Sequence, residues 1–112
     1  QIHIAAEDTK FGFSPEECLQ MLATTPWREL TNITIAGVMG MASFTDNAEQ
    51  VRGEFNTLIT LYNNIKHQFF ASDDSFSMIS AGMSDDYQLA MDAGSNLVRI
   101  GSSIFGARDY SK

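Results

Sequence analysis

Two segments in the last third of the sequence carry residue types suited to binding an anion. The first contains Gly82, Met83 and Ser84, and the second contains Gly101 and Ser102. In each, a glycine and a hydroxyl residue stand where a short apolar segment gives way to the start of a helix. Helix starts expose backbone N–H groups that lack partners within the helix, and phosphate or sulfate accepts hydrogen bonds from them. The two segments therefore predict a two-sided anion site.

The hydroxyl and glycine residues of these segments could each serve the fold or contact an anion. Ser84 either caps the following helix or donates to a phosphate oxygen. Asp85 and Asp86 follow it at the positive end of that helix, where carboxylates are stabilised, so no acid catalysis is assigned to them. Gly101 lets the backbone approach an anion, and Ser102 adds an N–H and a hydroxyl.

Arg99 lies two residues before Gly101 on a predicted strand, and alternation along a strand puts both on one side. The guanidinium either contacts a ligand or forms an ion pair with a carboxylate such as Asp85. Met83 and Met39 either line an apolar pocket for a ring or fill the core. The residue types and their spacing do not decide between these alternatives.

Charge and composition exclude several classes of function. The formal net charge is −7, with 7 basic residues that are scattered, so no nucleic-acid surface is expected. A single cysteine, Cys18, and the lack of a long apolar run favour a cytoplasmic protein with no membrane contact. No Cys or carboxylate residue stands at metal-ligand spacing from His3 or His67 in the sequence, so no metal site is expected. The nucleophile motif G-x-S-x-G is missing, and no catalytic residue is predicted.

Hydrophobic periodicity and caps predict an α/β fold in the order β-α-β-α-β-α-β, followed by a short helical turn. The predicted strands are 1–6, 33–41, 76–81 and 96–101. The predicted helices run from the Ser14 capping box to about Thr24, from a cap at Asp46 to about His67 or Phe70, and from Ser84 to Gly94, with a single turn over 102–106.

Four ordered motifs along the chain resemble a known family. They are Glu7 to Phe13, Ala36 to Met41, Ser80 to Asp86, and Gly94-Ser95 with Val98 to Tyr110. In this order they resemble the pyridoxal 5'-phosphate (PLP) homeostasis proteins, a PLP-binding family with the alanine racemase N-terminal barrel fold. The resemblance implies that residues 1–112 form the C-terminal half of a TIM (β/α)8 barrel, with four of its eight strands.

The resemblance also implies roles for single residues. Ser84, Gly101 and Ser102 would hold the cofactor phosphate, Arg99 would face the pyridine nitrogen, and Gly82 and Met83 would lie beside the ring. The lysine that bonds covalently to PLP in the family would lie in the first half, outside this sequence. Lys10, on a strand-end loop, is a further candidate for an anionic ligand group.

The function implied is PLP binding and homeostasis without established turnover, and the alternative is a fragment of an alanine-type racemase. Racemases carry a second, β-rich domain with a catalytic tyrosine, whereas this sequence stops after the last helical turn, which favours the carrier. A half barrel leaves sheet edges and an inner face uncovered, so a homo-oligomer that completes the barrel is expected.

Overall fold

Helices and parallel strands alternate along the chain in a computed structural model that describes residues 1–7 and 11–106. Lys10, and the part of the last motif beyond residue 106, lie outside the described residues. The elements in order are α1 (Pro15–Thr24), a 3-10 turn (Trp27–Glu29), β1 (Gly37–Gly40), α2 (Ala48–Phe69), β2 (Met78–Met83), α3 (Tyr87–Ala93), β3 (Leu97–Arg99) and α4 (Ser102–Phe105).

Local sequence signals place the helix ends well. The backbone N–H of Glu17 donates to the Ser14 hydroxyl and the Ser14 N–H donates to the Glu17 carboxylate, which completes the capping box predicted for α1. Helix α2 begins one residue later than expected. Its cap is Asn47, whose side chain accepts from the N–H of Gln50, and not Asp46.

The three strands form one parallel sheet in the order β1-β2-β3. Helix α2 packs against it and supplies three of the four largest fully buried side chains, Phe55, Leu58 and Ile65; the fourth is Phe76. Gly37 is required for the pairing of β1 with β2, because a Cβ there would lie 1.8 Å from the Met78 carbonyl oxygen. The α/β class and the parallel sheet are thus confirmed.

The predicted first strand, 1–6, is not a strand of this sheet. Ile2 forms isolated bridges with Gly40 on one side and Phe13 on the other, and its N–H donates to the Met39 carbonyl at 2.7 Å. Pairing stops after that single position, so the described part of the chain has three strands where four were expected. The other strands are also shorter or shifted relative to the expected 33–41, 76–81 and 96–101.

Candidate functional site

A bulge in β2 sets the orientation of its last residue. Ser80 pairs with Leu97, and Met83 pairs with Arg99. Between these pairs β2 advances three residues and β3 advances two, so β2 holds one extra residue. Gly82, with φ 106°, lies in this stretch, and its positive φ is a conformation that favours glycine. The bulge thus brings Met83 opposite Arg99 at the carboxyl ends of the two strands.

Side-chain hydrogen bonds from the start of β3 hold β2 around this bulge. The Ser95 Oγ lies 2.7 Å from the Ala81 carbonyl oxygen and 2.9 Å from that of Ile79, and it accepts from the Ala81 N–H at 3.2 Å. Asn96 accepts from the Ile79 N–H at 2.8 Å and donates to the Ser77 carbonyl at 2.8 Å. These two side chains supply pairing that the irregular ladder lacks.

The loops that follow β2 and β3 touch each other. The backbone N–H of Ser103 donates to the Ser84 Oγ at 3.1 Å. One interpretation made Ser84 the cap of α3, but its side chain does not cap that helix. Helix α3 begins at Tyr87, and the side chain of Asp86, the residue before it, accepts from the Met83 N–H at 2.8 Å. The Ser84 side chain thus links the segment after β2 to the segment after β3, the two segments predicted to bind an anion.

Gly101 and Ser102 lie exposed at the tip of β3, where Ser102 begins the single turn of α4. Gly101 has φ −107°, which any residue adopts, and a Cβ there would meet nothing within 4 Å. The described structure therefore gives no steric or conformational reason for a glycine at 101. A ligand that approaches the backbone closely at this position would be such a reason.

Arg99 is half-buried and incompletely paired. One of its terminal nitrogens, Nη2, lies 3.5 Å from the carbonyl oxygen of Gly40, the last residue of β1. Its Nε is buried, and no described residue accepts a hydrogen bond from it. Within residues 1–7 and 11–106 no ion pair joins Arg99 to Asp85, which was the alternative for this residue. A buried donor without a partner costs about 1–3 kcal/mol, so this conformation of Arg99 carries an energetic cost.

Two adjoining cavities lie at the ends of β1 and β2. The smaller, of about 250 Å³, is lined by Met41, Gly82 and Met83 with the carboxylates of Asp85 and Asp86. The larger, of about 550 Å³, extends from Ser43 towards the start of α2. Met83 and Met41 lie in the lining of the smaller cavity, and Met39 is not in the described lining of either; the role of Met83 and Met39 beside a ring stays a prediction. Arg99, Gly101 and Ser102 lie outside the described linings of both cavities.

One part of this region was not predicted. The side chain of Glu54, on α2, is buried and accepts three hydrogen bonds, two of them from Ser43 in the loop after β1. A signal existed in the sequence, because Glu54 stands three residues after Val51 and four before Leu58, on the apolar face of α2. A carboxylate in such a position has to find donors in the folded chain.

The described residues contain neither a metal-ligand cluster nor a membrane-spanning helix. No group of three or more His, Cys, Asp or Glu side chains there is arranged to hold a metal ion. No helix there has the length and apolar character needed to cross a membrane.

Known proteins resemble this chain along its whole length. It is 36% identical over 112 residues to the pyridoxal phosphate homeostasis protein of Pasteurella multocida, and the match covers 100% of this chain and 46% of the relative. The human protein of the same name is 34% identical over 113 residues, with 100% of this chain and 40% of the relative covered. The chain therefore spans less than half the length of these relatives.

Solved structures agree in fold. PipY of Synechococcus elongatus without PLP superimposes with a TM-score of 0.77 at 26% identity, over 89% of this chain and 45% of PipY. PipY with PLP bound gives a TM-score of 0.75 at 24% identity, over 91% of this chain and 47% of PipY. The family model for the alanine racemase N-terminal domain matches residues 1–109. The resemblance found from the motifs is thus confirmed, and the chain belongs to the alanine racemase N-terminal domain family.

Proposed function

We propose that this chain binds pyridoxal 5'-phosphate and serves in PLP homeostasis, with the phosphate between the loops after β2 and β3 and the ring beside Arg99. The observation that carries the proposal is the contact between the two loops, in which the Ser103 N–H donates to the Ser84 Oγ at 3.1 Å. The half-buried Arg99 lies two residues before Gly101, on the strand that leads into the second loop. The homeostasis proteins it matches and the PLP-bound form of PipY support the choice of ligand.

The phosphate side of the site consists of Ser84, Gly101 and Ser102. Ser84 accepts from the Ser103 N–H. A hydroxyl has one proton to donate as well, and the O–H of Ser84 is available for a phosphate oxygen. The open space beside Gly101 gives that oxygen access to the backbone, and Ser102 offers a hydroxyl and an N–H at the start of the turn.

The ring side consists of Arg99, Met83 and Gly82. PLP, when bound, supplies an aldehyde and an electron-withdrawing ring. A guanidinium donates hydrogen bonds and keeps its own protons, so Arg99 would donate to the pyridine nitrogen and hold it unprotonated. An unprotonated ring withdraws electrons less strongly, which favours holding the cofactor over turning it over. The relatives' name as homeostasis proteins, and not as racemases, supports this.

The finer architecture is part of the same proposal. Residues 1–112 form the C-terminal half of a TIM barrel, in a cytoplasmic protein. The uncovered face of the sheet supports the half barrel, since Met78 and Leu97 are each 41% exposed on it. A second copy of the chain that covers this face would give a dimer. Light scattering after size-exclusion chromatography tests this, and a monomer at micromolar concentration would contradict it.

Calorimetric titration tests the binding site. The probes are inorganic phosphate and 4'-deoxypyridoxine 5'-phosphate, which has a methyl group in place of the aldehyde and so cannot react with lysines. We expect Ser84→Ala and Ser102→Ala to weaken the binding of both probes, each by about tenfold, since a hydrogen bond to a charged group is lost. Ser72→Ala, in an exposed turn, is the control and should bind as the unaltered chain does. Absence of binding at millimolar probe would refute the proposal.

A further inference from the structure

The carboxylate of Glu54 holds the loop that follows β1. Its Oε1 accepts from the Ser43 N–H at 2.7 Å, and its Oε2 accepts from the Ser43 hydroxyl at 2.8 Å and from the Gln50 side chain at 3.2 Å. Glu54 is 9% exposed and Ser43 is 5% exposed. A buried charge of this kind persists only when its oxygens are paired, and both oxygens here are.

Ser43 passes this restraint to a second segment of the chain. Its hydroxyl donates to Glu54 and accepts from the Ala6 N–H at 2.8 Å. The single proton of this hydroxyl points to the Glu54 Oε2, and one of its lone pairs takes the Ala6 N–H. Glu54 therefore fixes the end of β1 against α2 and against the N-terminal segment.

The end of β1 also meets Arg99. Gly40, whose carbonyl oxygen lies 3.5 Å from the Arg99 Nη2, is the last residue of β1 and stands three residues before Ser43. We propose that Glu54 is a positioning residue for the ring side of the site. By fixing Ser43, it sets where the Gly40 carbonyl lies and so orients the guanidinium of Arg99. This inference rests on the proposed function for its ligand.

The two sides of the site should respond differently to a change at Glu54. On the phosphate side, Ser95 and Asn96 hold the strand β2 that leads to Ser84, and they make no described contact with Glu54. In Glu54→Gln an amide NH₂ replaces one of the two acceptor oxygens, so the Ser43 N–H and the Ser43 hydroxyl no longer each have an oxygen of residue 54 to donate to. We expect 4'-deoxypyridoxine 5'-phosphate to bind about tenfold more weakly, while the affinity for inorganic phosphate is unchanged.

The matched control is Glu49→Gln. Glu49 lies in the first turn of the same helix, its side chain is 83% exposed, and it pairs only with Arg52 among the described ion pairs. This variant makes the same change in net charge, and both probes should bind to it as to the unaltered chain. Equal losses of both probes in Glu54→Gln, or no loss of either, would overturn the inference.

A second readout needs no ligand. In the ligand-free chain, the ¹H–¹⁵N NMR cross-peak of the Arg99 Nε should shift in Glu54→Gln and stay in place in Glu49→Gln. Ser43→Ala should shift the same cross-peak, and Ser43→Thr, which keeps the hydroxyl, should restore it. An unmoved Arg99 cross-peak in both Glu54→Gln and Ser43→Ala would overturn the positioning role. Failure of the unaltered chain to bind either probe would instead overturn the proposed function.

Discussion

Replacing Gly82 and Gly101 by alanine separates what the fold requires from what a ligand requires. Gly82 has φ 106°, and a Cβ there would lie 2.8 Å from the Ala90 Cβ and 3.0 Å from the Tyr87 Cα. Strain at a positive φ costs an alanine roughly 1–2 kcal/mol. Crowding in a packed interior adds about 1–3 kcal/mol. We therefore expect Gly82→Ala to lower the free energy of unfolding by about 3 kcal/mol, which is roughly 10–15 °C in Tm.

Gly101→Ala should have the opposite profile. The position has an ordinary φ and open space among residues 1–7 and 11–106, so alanine restricts the unfolded chain without straining the folded one. We expect unfolding free energy to stay the same or rise by about 0.5 kcal/mol. The new methyl group would occupy the path of the phosphate, so affinity for inorganic phosphate should fall by about tenfold or more, or about 1.4 kcal/mol.

Urea unfolding gives the stability of both variants, and calorimetric titration with inorganic phosphate gives the affinity of Gly101→Ala. Two results would refute the reasoning. Full stability in Gly82→Ala would mean that the bulge does not depend on glycine. Unchanged phosphate affinity in Gly101→Ala would mean that phosphate does not approach the tip of β3.

Three further predictions concern the elements around the site. Ser95→Ala should lower the unfolding free energy, measured in urea, by about 2 kcal/mol, because partly buried carbonyl and N–H groups of β2 lose their partner; a loss as small as that of Ser72→Ala would contradict this. Burial raises the pKa of the Cys18 thiol, so 5,5'-dithiobis(2-nitrobenzoate) should react slowly at pH 8 and rapidly in urea, and equal rates would show an accessible thiol. Hydrogen bonds from the Ser14 N–H and hydroxyl lower the pKa of Glu17, so stability should fall as pH falls from about 4.3 through that lower value, a dependence that Glu17→Gln should lack.

The sequence predicted best what is decided locally. The Ser14–Glu17 capping box and the length of α2 follow from neighbouring residues, and both helices begin within two residues of their expected starts. The sheet was predicted less well, since strand ends and register depend on partners distant in the chain. Gly82 was expected beside a ligand, and its bulge could not be inferred because it exists only relative to β3.

The candidate site shows the same division. The proximity of the loops after β2 and β3 was expected, but the contact that joins them is a hydrogen bond between Ser84 and Ser103, where a cap had been one interpretation. A serine near a helix start has several donors within reach, and tertiary packing chooses among them. Arg99 was expected to meet a ligand or to pair with Asp85. Among the described residues no ion pair joins it to Asp85, and the Gly40 carbonyl lies 3.5 Å from its guanidinium; the ligand contact stays a prediction.

A crystal structure of the chain with 4'-deoxypyridoxine 5'-phosphate tests the central claim most directly. The proposal predicts phosphate oxygens within hydrogen-bond distance of Ser84 and Ser102, and the pyridine nitrogen about 2.7–3.2 Å from a guanidinium nitrogen of Arg99. A ligand bound elsewhere, or a ring turned so that its nitrogen faces away from Arg99, would contradict it.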